Sequence, residues 1–61
     1  MLELNIYRND ELLLNEYIDT NDLDYPNFST MTIAIKHWLK ENYEDADQLL
    51  TDSELDWNYV D

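Results

Sequence analysis

Apolar and polar residues alternate at the beginning of the chain, where residues 2–8 read Leu-Glu-Leu-Asn-Ile-Tyr-Arg. Successive side chains of a strand point to opposite faces, so this alternation predicts a half-buried β-strand. Asn9 and Asp10 follow directly. A two-residue hairpin turn requires positive φ angles, and a chain without glycine must assign them to residues such as Asn and Asp. The pattern therefore predicts a strand followed by a tight turn.

Residues 11–19, Glu-Leu-Leu-Leu-Asn-Glu-Tyr-Ile-Asp, fit either a return strand or a helix. In a strand that follows a two-residue turn, the side chains on the inner face are Leu13, Asn15 and Tyr17. In a bulged register, the residues that turn inward are Leu12, Leu14 and Ile18. A helix, with Asn9 or Asp10 as its cap, would present an apolar stripe made of Leu13, Leu14, Tyr17 and Ile18. We favour the strand, because the first strand otherwise has only the C-terminus to pair with.

The clearest periodicity lies in the middle of the chain, where four apolar residues are spaced i, i+4, i+7 and i+8: Met31, Ile35, Trp38 and Leu39. This spacing places their side chains on one side of a helix and predicts a main helix over about residues 30–42, packed on the core. Ser29 or Thr30 is a suitable N-cap. The preceding residues 20–28 contain Pro26 and are predicted to be a loop.

Two shorter elements are predicted after the main helix. Apolar residues within 44–50 suggest a short second helix, and Leu55, Trp57 and Tyr59 then alternate with polar residues as in a strand. The chain is therefore expected to form one acidic domain over residues 1–61. Its predicted fold class is α+β: an antiparallel β-hairpin and a C-terminal third strand, packed on one main helix and accompanied by the short second helix.

Composition supports a folded protein. The chain has 61 residues, of which 44% are apolar and 13% aromatic, too many for a disordered acidic tail. It contains no Cys, which excludes disulfides and thiolate metal sites. No apolar run approaches the length of about 20 residues that a membrane span needs. The first residues also lack the basic and apolar regions of a signal peptide, so a cytoplasmic protein without membrane contact is expected.

Charge is the most unusual feature of the chain. Fifteen Asp and Glu residues oppose three Lys and Arg residues, giving a net charge of −12. Small soluble domains carry a net charge of magnitude about 2–8. All the acids lie in residues 1–29 and 41–61, whereas residues 30–40 hold two lysines and no acid. Solubility or a halophilic proteome is one explanation, but the size of the surplus favours a role for the negative field in binding.

The alternation in the final strand predicts where two of the acidic side chains lie. Glu54 and Asp56 should share the solvent face, about 6.6–7 Å apart, because they are two residues apart along a strand. Phosphates along one DNA strand repeat on a comparable scale, so a groove built to bind phosphates can accept carboxylates instead. The other candidate contacts lie in the loop and after the main helix. The predicted partner-binding residues are Asp19, Asp22, Asp24, Glu44, Asp45, Asp47, Glu54 and Asp56.

In size, charge and aromatic content, though in no sequence motif, the chain resembles the small acidic proteins with which bacteriophages and mobile elements block host defence. Several of those proteins mimic DNA. The resemblance implies an inhibitor that occludes the basic nucleic-acid-binding site of a host protein, such as a CRISPR effector, restriction enzyme, nuclease, repair enzyme or nucleoid protein. Direct binding to nucleic acid is opposed by the charge.

The sequence offers little for catalysis or for cofactors. His37 is the only histidine, so the common multi-histidine zinc sites cannot form, and no nucleophile is placed to complete a triad. The Asp pairs at 22–24 and 45–47 are fragments of a calcium loop that lack its Gly and its final Glu. We therefore predict no catalytic residue, no metal site, no cofactor and no enzymatic activity.

Two further hypotheses use the same fold. In the first, the protein is an antitoxin or adaptor that binds its partner through an aromatic patch of Trp57, Tyr59 and Val60, and its acidity serves solubility. In the second, the chain forms a homodimer through a strand edge or a helix face, because thin domains often complete their core in this way. Dimerisation is compatible with either function.

Overall fold

A computed structural model describes residues 1–60 and confirms the α+β fold class. Three strands and two helices follow one another along the described chain: β1 Leu2–Arg8, β2 Glu11–Ile18, α1 Met31–Asn42, α2 Ala46–Leu50 and β3 Glu54–Tyr59. Two short 3₁₀ turns, Thr20–Asp22 and Tyr25–Asn27, occupy the loop between β2 and α1.

The three strands form one open antiparallel sheet with β1 in the centre, in the order β2–β1–β3. Residues 11–18 are therefore a strand, and the helical alternative for this segment is wrong. The C-terminal strand is present as predicted and pairs with the free side of β1. Because β2 and β3 each have a hydrogen-bonded neighbour on one side only within residues 1–60, both are edge strands.

The hairpin has the predicted two-residue turn, but its register contains an irregularity. Asn9 and Asp10 have φ angles of 52° and 64°, the positive values that this turn requires. A register shift lies between Ile6, which pairs with Leu14, and Tyr7, which pairs with Leu12. On the C-terminal side of the shift, the residues of β2 that face the core include Leu14 and Ile18, as in the bulged register. The regular alternative is therefore wrong. Leu12 lies before the shift and is 51% exposed, contrary to the bulged alternative as well.

The main helix begins and ends close to the predicted positions. Thr30 is the N-cap, and its Oγ1 accepts a hydrogen bond of 3.2 Å from the main-chain nitrogen of Ile33. At the other end, the Asn42 side chain donates to the main-chain oxygen of Trp38 at 2.8 Å. The first contact satisfies one of the main-chain N–H groups that have no partner inside the helix.

The core lies between one face of the sheet and the helices and consists of aliphatic side chains. The inner residues of β1 are fully buried, and Ile35 and Leu39 of α1 cover them. No polar or charged residue is buried among residues 1–60. The buried residues are Leu2, Leu4, Ile6, Ile18, Leu23, Ala34, Ile35, Leu39 and Ala46.

Arg8 joins the end of β1 to the end of α2. Its Nη2 atom donates to the main-chain oxygen of Thr51 at 2.9 Å and also to that of Gln48. The last carbonyls of a helix lack partners within the helix, so the guanidinium satisfies them and fixes α2 against the sheet. Neither helix in the described part of the chain combines the length and the apolarity that a membrane crossing requires.

Candidate acidic interaction surfaces

The side of the sheet that faces away from the helices is polar, and we call it the open face. Its residues follow from the register of β1 with its neighbours, because side chains paired across two strands share a face. Antiparallel sheets commonly leave one side to solvent in this way. The open face comprises Glu3, Asn5, Tyr7, Leu12, Asn15, Tyr17, Glu54, Asp56 and Asn58.

Hydrogen bonds fix the Glu3 carboxylate on the open face. The Asn15 side-chain nitrogen donates to Glu3 Oε2 at 3.0 Å and to Asn5 Oδ1 at 2.7 Å. The Tyr17 hydroxyl donates to the same Glu3 oxygen at 3.2 Å. The negative charge of Glu3, followed by this hydrogen bond, raises the pKa of Tyr17 above its ordinary value. The two donors, Asn15 and Tyr17, therefore orient the Glu3 carboxylate.

Glu54 and Asp56 lie on the open face, as the alternation in β3 predicts. They pair with Tyr7 and Asn5 of β1, and both are exposed. The intervening Leu55 and the following Trp57 turn to the other side of the sheet and pack partly against the core. The structure thus brings two predicted contact residues together with Glu3, which the sequence reasoning did not select.

The three loop acids lie elsewhere, in the segment that follows the end of β2 farthest from the hairpin turn. Asp19 accepts a hydrogen bond of 2.9 Å from the main-chain nitrogen of Asn21, and Asp24 accepts one of 2.6 Å from the Asn27 side chain. Asp22 is exposed in the first 3₁₀ turn. Two of these carboxylates therefore hold the loop in shape while remaining exposed to solvent.

The last group of predicted contacts belongs to the helical layer. Glu44 and Asp45 are in the link between α1 and α2, Asp47 is in the first turn of α2, and all three are exposed. The sheet separates this layer from the open face. The eight predicted residues therefore form three acidic groups rather than one surface, and a flat partner cannot contact all of them at once.

Few positive groups compensate these carboxylates. The only salt bridge within residues 1–60 joins His37 Nε2 to Glu41 Oε1 at 2.7 Å, on an exposed part of α1. Arg8 donates to main-chain carbonyls instead, and Lys36 and Lys40 are exposed on α1 without an acidic partner in the described part of the chain. Because no Lys or Arg in this part of the chain forms a salt bridge with an acid, most of the negative field extends into solvent.

One carboxylate that the sequence reasoning missed lies on the inner side of the sheet. Glu16 pairs with Leu4, and its Oε2 accepts a hydrogen bond of 2.5 Å from the Tyr43 hydroxyl. This bond, together with partial burial, raises the pKa of Tyr43 to about 12. The pair connects β2 to the segment after α1. The bulged register, one of the alternatives that the sequence left open, is the one that places Glu16 on this side.

The acids are also not arranged as a metal site. Within residues 1–60, no group of three or more His, Asp or Glu side chains is placed to hold a metal ion. His37 is exposed, and its ring lies 5.0 Å from that of Phe28. What the described residues offer is therefore exposed negative charge, part of which hydrogen bonds hold in place.

Comparisons with protein-family models, with curated proteins and with solved structures gave no match for the chain. No relative therefore suggests an activity or a partner. The features that bear on function are the charge, the exposure and the strand geometry described above.

Proposed function

We propose that the chain is a non-enzymatic acidic inhibitor that docks on the basic nucleic-acid-binding surface of a host protein and excludes the nucleic acid. The observation that carries this proposal is the absence, within residues 1–60, of any salt bridge between an acid and a Lys or Arg. A folded chain with a net charge of −12 and no such compensation projects a strong negative potential. That field attracts a basic surface and repels nucleic acid.

The spacing of the acidic residues supports mimicry over mere solubility. Glu54 and Asp56 belong to a regular strand, and the Glu3 carboxylate is oriented by Asn15 and Tyr17. Solubility requires charge but no fixed spacing. Acidic residues whose Cα atoms are about 6.6–7 Å apart along a strand can place their carboxylates at successive phosphate positions in a groove.

The distribution over three acidic groups also favours one kind of binding site. A cleft that binds a nucleic acid strand surrounds its ligand, so it can contact acids on more than one side of a small body. A flat basic patch would use only one group. We therefore infer a concave target site, with the open face and one neighbouring group in contact with it.

The resemblance to phage and mobile-element proteins that block host defence gives the proposal its biological setting. In that setting the protein acts in the cytoplasm of the host cell. The classes of target are those named above: CRISPR effectors, restriction enzymes, nucleases, repair enzymes and nucleoid proteins.

Capture from a host lysate followed by competition tests the proposal. The partner retained on immobilised protein is eluted with a salt gradient, purified and loaded with a fluorescent oligonucleotide. We expect the acidic protein to displace the oligonucleotide, and the affinity to fall steeply as salt rises, since salt screens exposed charges. Simultaneous binding of both ligands, or an affinity that is independent of salt, would refute the mimicry.

A matched pair of double variants separates position from net charge. The variant Glu54→Gln/Asp56→Asn and the control Asp10→Asn/Glu11→Gln remove the same two charges. Both pairs are exposed, but the control residues lie at the hairpin turn and outside the proposed contact. We expect the first variant to weaken binding to the captured partner at least tenfold and the control to weaken it much less. Equal effects would mean that total charge alone determines binding.

A second candidate, an antitoxin or adaptor, is favoured by one observation. Tyr59 is 64% exposed at the end of β3, and its ring meets that of Trp57 edge to face with centroids 5.6 Å apart. Its neighbour Trp57 is partly buried against the core, so the predicted aromatic patch is smaller than the sequence suggested. If Tyr59→Ala abolishes partner binding in a folded protein while neutralising Glu54 and Asp56 has no effect, the adaptor hypothesis is preferred.

A further inference from the structure

The outer edge of β3 is unpaired within residues 1–60, and the register shows which main-chain groups it presents. Val60 donates a hydrogen bond of 3.0 Å to the main-chain oxygen of Met1. In an antiparallel pair, residues that exchange hydrogen bonds alternate with residues whose main-chain groups point away. The N–H and C=O groups of Leu55, Trp57 and Tyr59 therefore point outward, toward the place of a fourth strand.

The side chains beside this edge differ in character on the two faces. Glu54 and Asp56 stand on the open face, whereas the other face carries Leu55, Trp57 and Tyr59. The Trp57 and Tyr59 rings meet edge to face with centroids 5.6 Å apart. One row of side chains of an added strand would therefore lie beside the carboxylates of Glu54 and Asp56. The other row would lie beside the partly exposed side chains of Leu55, Trp57 and Tyr59.

The opposite edge of the sheet lacks this combination. β2 contains the register shift near the hairpin, and such irregularities hinder the addition of a further strand. On its inner face, Ile18 is buried and Glu16 is bonded to the Tyr43 hydroxyl, and the exposed Leu12 and Tyr17 lie on the open face instead. β3 is regular throughout its pairing with β1.

A second copy of the chain is a poor occupant of the β3 edge. Antiparallel pairing of two β3 strands about Asp56 would place the two Asp56 side chains opposite each other, and pairing about Leu55 would place Asp56 opposite Glu54. Like charges at directly opposite positions destabilise a strand pair. Pairing about Trp57 avoids these two clashes, but the net charge of −12 on each copy opposes every register through long-range repulsion.

We propose that the β3 edge accepts an extended segment of the partner protein, with Lys or Arg side chains on the open-face side and apolar side chains on the other. Strand addition of this kind obtains affinity from main-chain hydrogen bonds and specificity from alternate side chains. Charge complementarity with Glu54 and Asp56 selects a basic segment over a second copy. The basic character of the partner rests on the proposed function; the new claim is that the partner binds along the β3 edge.

Amide hydrogen exchange followed by NMR tests the proposal with a defined probe. The probe is a capped octapeptide that alternates Lys or Arg with Val. In the free protein, the amides of Leu55, Trp57 and Tyr59 should exchange quickly, whereas those of Asp56 and Asn58 are protected by β1. The peptide should slow exchange at the first three amides and leave the other two unchanged. A peptide of the same pattern with Glu in place of Lys and Arg is the control and should give no protection.

Two substitutions of Tyr59 isolate the contribution of one main-chain hydrogen bond to the affinity for the peptide. Tyr59→Pro removes an outward N–H group without breaking a bond to β1, and Tyr59→Ala removes the same side chain but keeps the N–H. We expect Tyr59→Pro to bind the peptide about fivefold more weakly than Tyr59→Ala, the effect of one net hydrogen bond. Equal affinities would mean that the edge is not used. Unchanged exchange of Asp56 and Asn58 in both variants verifies that the sheet is intact.

Three results of the exchange experiment would also overturn the proposal: protection at Asn15 and Tyr17 of β2 alone, no protection at any edge amide, or protection of β3 in the free protein with sedimentation as a dimer. The last result would assign the edge to a second copy. The peptide experiment contains no nucleic acid, so it can fail while the displacement assay succeeds. In that case, the inhibitor function stands and only the edge is rejected.

Discussion

Replacing Tyr43 by phenylalanine removes one hydroxyl and tests the unexpected contact between the two layers. The hydroxyl donates to Glu16 Oε2 at 2.5 Å, whereas the six-membered ring, which meets Trp38 edge to face at 6.0 Å, is retained in the variant. A hydrogen bond to a charged group contributes about 1.5–3 kcal/mol. Because Glu16 is only half-buried and water can replace the hydroxyl, we expect a loss of about 1–2 kcal/mol. A domain of this size has a total stability of only about 3–9 kcal/mol.

The same contact makes a specific prediction about pH. Tyr43 has a pKa of about 12 in the folded protein, above its ordinary value of 10.0. A raised pKa means that the protonated hydroxyl is favoured by folding, so its stabilising effect is complete below pH 10 and is lost as pH rises toward 12. The difference in unfolding free energy between the wild type and Tyr43→Phe should therefore be constant near neutral pH and shrink above pH 10.

Urea unfolding followed by tryptophan fluorescence measures this difference. The series comprises the wild type, Tyr43→Phe, Glu16→Gln and the double variant, each at several pH values between neutral and 12. The double-mutant cycle isolates the interaction between the two side chains from their other contacts. A coupling energy near zero at neutral pH, or a difference that persists unchanged up to pH 12, would contradict the assigned hydrogen bond.

Three further comparisons test the fold. Asp52 has a φ angle of 52°, so Asp52→Gly should stabilise the protein by about 0.5–1 kcal/mol. Asp47→Gly removes the same charge but lies within α2, so it should destabilise the protein by about 1 kcal/mol. The midpoints of urea unfolding distinguish the two variants. Arg8→Lys keeps the charge but loses the planar fork that binds the end of α2, and a loss of about 1 kcal/mol is expected by the same measurement. Leu39 is fully buried and Ile33 is 45% exposed. Leu39→Ala should therefore lower the free energy of unfolding by about 2–5 kcal/mol, and Ile33→Ala by less than about 0.5 kcal/mol. Equal decreases in melting temperature would contradict the assigned core.

Local patterns were sufficient to predict the elements, but they were insufficient for the register of the hairpin. Asn9 and Asp10 indicate the turn because only their own φ angles are involved. The register shift depends on contacts far along the chain: it turns Ile18 into the core and brings Glu16 to the hydroxyl of Tyr43, 27 residues later. Exposure of Leu12 accompanies this arrangement. No short segment of the sequence contains all the contacts that determine this register.

The candidate contact residues divide in the same way. Placing Glu54 and Asp56 on one face requires only the period of a strand, and the structure agrees with it. Counting acids along the chain, by contrast, could not show that the sheet separates Asp47 from them. It also overlooked Glu3, which the alternation of β1 places on the open face and which neighbours β3 because β1 is the central strand. Surface groups follow from the order of strands, and that order is a long-range property.

The charge and the β3 edge should act on different steps of binding. A net charge of −12 attracts a basic partner over distances of several ångströms and is screened by salt, so it should govern the association rate. Main-chain hydrogen bonds at Leu55, Trp57 and Tyr59 form only after docking and should govern dissociation. Stopped-flow measurements with the captured partner should therefore show that salt mainly slows association, whereas Tyr59→Pro accelerates dissociation relative to Tyr59→Ala at every salt concentration. If salt and the proline substitution change the same rate constant, this division between steering and docking is wrong, and the edge has no role separate from that of the charge.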